Sequence, residues 1–369
     1  MENPKTEAEL AEVIRAADGP LAVHGGSTQG VALEGQPVST CGLSGVSLYE
    51  PGALTLVAGV GTPVQDIAQA LAQEGQQLAF EPRDLRAVLG TKGEPTIGGV
   101  FATNLSGPRR IQAGAARDFL LGVRFVDGTG TVAKNGGRVM KNVTGYDLVK
   151  LLAGAHGTLG VLTEVSLKVL PRPEMTGVVL LYGLTPEQAV AAMSEALGSP
   201  FDVTGAAHTL RGMDGDPVTM IRVEGFEDSV LYRTQALKER LAQFGEPVVE
   251  TDPDKTAAGW KWVRDLAPLR DADGDIWSIS VKPSDAPGVL DKLNPNAALL
   301  DWGGGLIWAL TPKGKDVRAA MGDTKGHATL IRGTGFPRFH PEPAPVASLA
   351  QGLRNRFDPR GILNPGLMG

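Results

Sequence analysis

Apolar residues recur along this chain at two spacings, one helical and one alternating. Between Thr6 and Ala17 the apolar positions Leu10, Val13, Ile14 and Ala17 keep helical spacing, with Thr6 and Glu9 placed as a capping box and Gly19 beyond the end. Leu21-Ala22-Val23 predicts a short strand that runs into His24-Gly25-Gly26-Ser27-Thr28-Gln29-Gly30. Leu54–Gly61 predicts a strand, Thr62 a cap, and Pro63 the start of a helix with Val64, Ile67, Ala68 and Leu71 inward, ended by Gly75. A strand at Gln77–Phe80 follows. Phe119–Val126 and Thr131–Ala133 predict a hairpin about Asp127-Gly128-Thr129-Gly130. Thr144–Ala153 predicts a short helix, and the alternation from Val161 to Val169 a strand with one face buried.

Past Pro171 and Pro173 the pattern changes. Strands fit Val178–Tyr182, Val203–Leu210, Val218–Gly225, Ile276–Val281, Ala298–Asp301, Leu306–Leu310 and Ala328–Arg332. Helices fit Pro186–Leu197 and Ser229–Phe244, and Leu349 opens a last one after the proline-rich Pro341–Pro345. Paired strands around few helices point to an α+β fold with an antiparallel sheet covered on one face.

A length of 369 residues is enough for two domains with separate cores. A net charge of −6 argues against nucleic acid and against an anionic membrane surface. The one cysteine, Cys41, excludes an internal disulfide or an iron–sulfur cluster held by this chain, and is expected to be a small buried residue. No apolar run approaches a membrane span, and the N-terminus lacks a basic-then-apolar leader pattern. A cytoplasmic protein that meets a membrane only through a partner is expected.

Small residues crowd Glu94–Arg110, Gly136–Asp147 and Gly157–Glu164. Small side chains let a ligand approach the backbone and reach free amides. One glycine pair reads most simply as a tight turn; three such runs within one segment favour a cofactor cradle. The His24–Gly30 loop admits both readings. It is neither the Gly-x-Gly-x-x-Gly of a nicotinamide fold nor a nucleoside-triphosphate loop.

With the tail Asp358-Pro359…Asn364-Pro365-Gly366, these runs resemble the FAD-linked oxidases of the vanillyl-alcohol-oxidase (PCMH-type) superfamily, and within it the flavin-binding subunits of bacterial glycolate oxidase. The resemblance covers residues 1–172 and the tail strongly and the middle weakly. It implies a PCMH-type FAD-binding domain of two α+β subdomains (1–172), an α+β cap domain with an antiparallel sheet (173–345), and a C-terminal segment returning to the FAD domain (346–369). It implies that Gly25, Gly26, Ser27 and Thr28 hold the pyrophosphate, although the family often shows a third glycine where Ser27 stands and Arg where His24 stands. It implies that Thr96, Gly98, Gly99, Thr103, Asn104 and Gly107 lie along the flavin and its phosphates. Val161 matches a position whose backbone contacts the cofactor, and Asn364 a tail residue near the flavin edge. FAD is expected to be non-covalent, because His24 precedes the glycine pair, whereas covalently flavinylated relatives carry a His after it.

Oxidation of a 2-hydroxy acid needs a base, a hydride acceptor and cations for the carboxylate. Of the family's cap histidine motif only Gly326-His327-Ala328 remains, which leaves His327 as a weak catalytic candidate. The five histidines, His24, His156, His208, His327 and His340, show no metal-ligand spacing, so no metal is expected. Arg109, Arg110, Arg138 and Lys141 are candidate phosphate or carboxylate contacts, with Arg110 favoured because it follows the cofactor run. The five tryptophans, all in the second half, are expected in the core or at subunit contacts.

Three functions stay open. The first is the FAD-binding subunit of a glycolate oxidase, with a homologous larger flavin subunit and an iron–sulfur subunit as partners. The second is a catalytically silent flavin-binding scaffold. The third is a stand-alone FAD-dependent D-2-hydroxy-acid dehydrogenase, or a reductase of the enolpyruvyl-sugar type.

Overall fold

The computed structural model describes residues 1–138 and 145–368. Lys141 and the rest of the run 139–144 therefore lie outside the described residues. The fold is α+β, built on two antiparallel sheets.

The first sheet has five strands in the order Val46–Glu50, Thr55–Gly59, Val161–Lys168, Leu120–Val126, Val132–Gly136. Its central strand pairs Val165 with Ala58 on one side and Val123 on the other. That central position corrects the expectation of one buried face: only Glu164 and Lys168 of Val161–Lys168 are not buried. The helix Glu7–Ala16 packs Leu10 and Ile14 into the same core as Leu56, Ile67, Phe80, Phe101, Phe125 and Leu167. Thr6 caps this helix by accepting from Glu9 N at 3.2 Å, while Glu9 reaches back to Lys5 N, one residue before the expected partner.

Ile362 and Leu363 of the tail join this core. Leu21 N donates to Ile362 O at 2.7 Å, and Asn364 N to Leu21 O at 3.1 Å, so the tail lies along the strand Leu21–His24. The other side of that strand pairs in parallel with Gln36–Ser39.

The second sheet has eight strands in the order Val248–Glu250, Met175–Tyr182, Val218–Gly225, Val203–Thr209, Ala297–Asp301, Leu306–Thr311, Asp275–Val281, Gly326–Arg332. Alternate residues divide between its faces. One face, with Ala206, Ile221, Leu300 and Ile307, is covered by the helices Pro186–Leu197, Glu227–Leu241 and Ala286–Leu293. The other, with Ala207, Met220, Leu299 and Trp308, packs on Leu85 and Val88 from the first half and on the helix Pro253–Arg264. Both faces are thus covered, because the first half of the chain seals the face expected to be open. Trp260, Trp277 and Trp308 are buried, as expected of core residues.

Several local expectations differ from the structure. Thr62 does not cap the helix Val64–Gln73; its hydroxyl donates to Gly59 O at 2.6 Å and accepts from Gly45 N, tying a hairpin end instead. The strand expected at Gln77–Phe80 is only Gln76–Gln77, after which the chain turns inward to bury Phe80. Cys41 is exposed, on a turn after Gln36–Ser39. The last helix begins at Ala344, inside the proline-rich segment, with Pro345 in its first turn where a missing N–H costs nothing.

Candidate functional site

A cleft of about 480 Å³, within the range of cofactor sites, opens along the first half of the chain. One wall is the loop after the strand Leu21–His24. Gly25 and Gly26 are fixed there by a close chain crossing: a Cβ at Gly26 would stand 1.5 Å from Glu94 O, and one at Gly25 2.7 Å from Thr96 Oγ1. Ser27 takes a left-handed φ of 54°. Among the described residues, no backbone N–H from Gly25 to Gln29 donates a hydrogen bond within the protein. Gly25 to Gln29 all line the cleft, so this wall offers a run of unspent amide donors, the chemistry that a pyrophosphate requires.

The facing wall is the short helix Ile97–Thr103, capped by Thr96, whose Oγ1 accepts from Gly99 N at 3.3 Å. Thr96, Gly99, Val100 and Thr103 line the cleft. Their spacing of i, i+3, i+4 and i+7 is one face of a helix. Thr103 turns its hydroxyl back to Gly99 O at 2.7 Å. The floor is held by Asn364, with a φ of 44°. Its Oδ1 accepts from Val23 N at 2.7 Å and its Nδ2 donates to His156 O at 2.9 Å, clamping the tail to two separate walls.

Not every residue singled out in the sequence reaches the cleft. Gly98 lies on the opposite helix face, where a Cβ would meet Val60 Cβ at 2.5 Å. Asn104 ends the helix at φ 50° and accepts from Arg117 N. Gly107 packs against Glu81, a Cβ there falling 2.1 Å from Glu81 O. Arg110 stacks its guanidinium 4.7 Å from the Trp302 ring centroid, and burial, then Arg117, lowers its pKa. Val161 is buried at the start of its strand, opposite Val126. His327 stands on the edge strand Gly326–Arg332 and does not line the cleft; partial burial of its ring and then Arg110 hold its pKa below the ordinary value. Arg138 is exposed.

Arg109 is buried, and its backbone N–H donates to Glu81 Oε2 at 3.0 Å. Glu81 is the centre of a polar cluster that the sequence did not announce. Its two oxygens accept from Arg222 Nη1 and Nη2 at 2.9 Å each. Burial opposes ionisation of Glu81, but Arg222 and Arg109 outweigh it and hold the carboxyl below the usual range. Arg222 lies 4.3 Å above the Trp260 ring and donates Nε to Thr204 Oγ1 at 3.2 Å.

Arg264 also lines the cleft and also went unremarked, because its helix, Pro253–Arg264, was not anticipated. The signal was present: Asp252 caps the helix by accepting from Lys255 N, and Pro253 occupies the first helical position. Arg83 closes the other end, donating Nη1 to Arg264 O at 3.0 Å, and it pairs with the buried Asp301.

Two histidines line the cleft, His24 and His156. Burial lowers the pKa of His24; burial, then Arg338, takes His156 down to about 4. Among the described residues no cluster of His, Cys, Asp or Glu has metal-ligand geometry.

The amide-lined cleft has the chemistry that a phosphate-bearing cofactor needs. Residues 2–136 match the family described as FAD binding domain. A solved structure titled alkyldihydroxyacetonephosphate synthase superposes with a TM-score of 0.71 over 98% of this chain and 76% of its own; its 16% identity speaks to the fold alone. The glycolate oxidase subunit GlcE of Escherichia coli (strain K12) is 36% identical over 95% of this chain and 92% of its own length. The chain belongs to that family of FAD-linked oxidoreductases, and FAD is its cofactor. The glycolate oxidase subunit GlcD of Bacillus subtilis (strain 168) is 29% identical over 41% of this chain and 28% of its own length.

Proposed function

We propose that this chain is the FAD-binding subunit of a complex that oxidises glycolate to glyoxylate. The observation that carries the reading is the 36% identity to the GlcE subunit over 95% of the chain, joined to a cleft walled by free amides. In this reading Gly25, Gly26, Ser27 and Thr28 hold the pyrophosphate, and Thr96, Gly99 and Thr103 lie along the cofactor. Asn364 fixes the floor through Val23 and His156. Bound FAD supplies a hydride acceptor for the α-carbon of the substrate. Residues 1–172 with the tail 346–369 form the cofactor domain, and residues 173–345 the cap.

The partners are a homologous larger flavin subunit and an iron–sulfur subunit that carries electrons onward. One cysteine in 369 residues supports the division, since a cluster needs several thiolates and must sit on another chain. No helix among the described residues is long and apolar enough to cross a membrane, which fits a cytoplasmic chain that meets the membrane through its partners.

A second reading, a flavin-carrying subunit whose hydride chemistry belongs to its homologous partner, is favoured by the histidines of the cleft. His156, with a pKa of about 4, is a poor proton acceptor at neutral pH. The absorbance spectrum of the purified chain, before and after anaerobic glycolate, tests both readings. Flavin bands that bleach establish a competent dehydrogenase. Bands that persist until the partner subunits are added assign the hydride step to the complex. A colourless protein that takes up no added FAD sinks the function.

A further inference from the structure

A second and more polar cleft, of about 750 Å³, adjoins the first. Its walls include Glu174, Arg222, Glu224, Trp260 and Lys261. The two clefts have four lining residues in common, Gln77, Glu81, Arg172 and Arg264, which form a neck between them. Among the described residues of 173–345, Arg264 alone lines the inner cleft.

The charges at the neck are unequally occupied. Glu81 has both oxygens filled, by Arg222 and by Arg109 N, so its charge is already answered. Arg264 donates Nε and Nη2 to Asp265 at 2.7 and 2.9 Å, which leaves Nη1 without a partner among the described residues. The Arg172 side chain makes no hydrogen bond or ion pair among those residues; only its backbone is tied, N to Gly75 O at 2.7 Å. Arg264 is also held in place. Its carbonyl accepts from Arg83 Nη1, and Asp265 accepts from Asp84 N at 3.2 Å, so both halves of the chain fix the guanidinium. A fixed guanidinium with an open donor, beside a second unpaired one, suits a small carboxylate.

We propose that the outer cleft is the route by which a small carboxylate-bearing substrate reaches the cofactor, and that Arg264, assisted by Arg172, receives the carboxylate at the neck. The inference rests on the reading of this chain as a flavoprotein for 2-hydroxy acids, and it adds the route and the recognising residues. Among the described residues of 173–345, Arg264 thereby becomes the one contact that senses an occupied inner cleft.

The test uses the full chain loaded with FAD and oxalate, a small carboxylate that cannot be oxidised at an α-carbon. Oxalate is titrated against the flavin absorbance, and its binding heat is measured in parallel. Saturable binding is expected in the unaltered protein. Arg264→Gln is expected to weaken it roughly ten- to hundredfold, and Arg172→Gln by a smaller factor, with flavin content unchanged. Arg264→Lys, which keeps the charge but loses the fork, should fall between and serves if the Gln variant does not fold. Equal oxalate affinity in the Arg264 variants overturns the proposal, as does an FAD-loaded chain that binds no oxalate. Loss of FAD from Arg264→Gln also overturns it, by assigning Arg264 to the cofactor. A chain that binds no FAD at all removes the functional reading itself, an outcome distinct from these.

Discussion

Glu81 and Arg222 meet through two parallel hydrogen bonds of 2.9 Å, although 141 positions separate them in the chain. The pair joins a segment that lines the inner cleft to a strand of the eight-stranded sheet. Arg222 is 3% exposed at its side chain and Glu81 19%, so water does little to screen them. Glu224 Oε2 lies 3.3 Å from Arg222 Nε and 3.3 Å from Arg109 Nε, so it shares the first cation with Glu81 and has the second beside it. Removing Arg222 therefore leaves Glu81 without its main counter-charge and Glu224 with Arg109 alone.

Arg222→Ala is expected to cost about 3–5 kcal/mol, the range for breaking a buried pair from one side. Glu81→Gln/Arg222→Met, which removes both charges, should recover much of that loss. Urea denaturation of the three proteins decides it; a single Arg222 variant as stable as the parent refutes the role given to the pair.

The pH dependence follows from groups shifted in the same direction. The Glu81 carboxyl is held below its ordinary 4.5, so its stabilisation is present above that value and is lost as pH falls through the lower folded value. His208, buried with Nδ1 on Thr219 Oγ1 at 2.9 Å, is lowered by burial from 6.5 to about 4. The unfolded chain then binds the extra proton first, so stability also falls as pH drops from 6.5 toward 4. Denaturation midpoints measured from pH 7 to 4 should decline, and His208→Gln should flatten the upper part of that decline. An unchanged slope in His208→Gln counts against a neutral buried imidazole.

Much of this was readable from local pattern. Alternation located the long strands of both sheets, because each has at least one face in a core. The glycine pair at 25–26 stood out because a chain crossing leaves no room for a Cβ. The small residues of 96–107 point to a cofactor run along its whole length, since composition does not reveal a helix followed by a turn. The helix face of Thr96, Gly99, Val100 and Thr103 lines the cleft, while Gly98 backs onto Val60. Glu81, Arg222 and Arg264 gain their roles from contacts between distant segments, and no local spacing encodes those. At Cys41 the usual burial of its residue type gives way to its place on a turn.

Gly26→Ala should abolish FAD binding. The added Cβ would fall 1.5 Å from Glu94 O, a backbone atom that cannot swing aside, so the loop must leave its wall. Gly19→Ala is the control, since a Cβ there meets nothing within 4 Å. Flavin content after purification should be negligible in the first and normal in the second. A yellow Gly26→Ala protein contradicts the assignment of this loop to the pyrophosphate.

Asn364→Ala isolates the tail's contribution to the same site. The side chain satisfies Val23 N and His156 O at once, and it is 3% exposed, so both partners lose their bond where water does not readily replace it. A loss of about 1–3 kcal/mol is expected for leaving buried polar groups unpaired. Because Val23 leads directly into the loop at Gly25 and His156 itself lines the cleft, the loosening reaches two walls of the cofactor site. FAD should dissociate faster from Asn364→Ala than from the parent, read by recovery of free-flavin fluorescence after dilution. Asn364→Asp keeps the acceptor for Val23 N and loses the donor to His156 O, so it should fall between the two. Equal dissociation rates in all three proteins would show that the tail holds the fold without shaping the cofactor site.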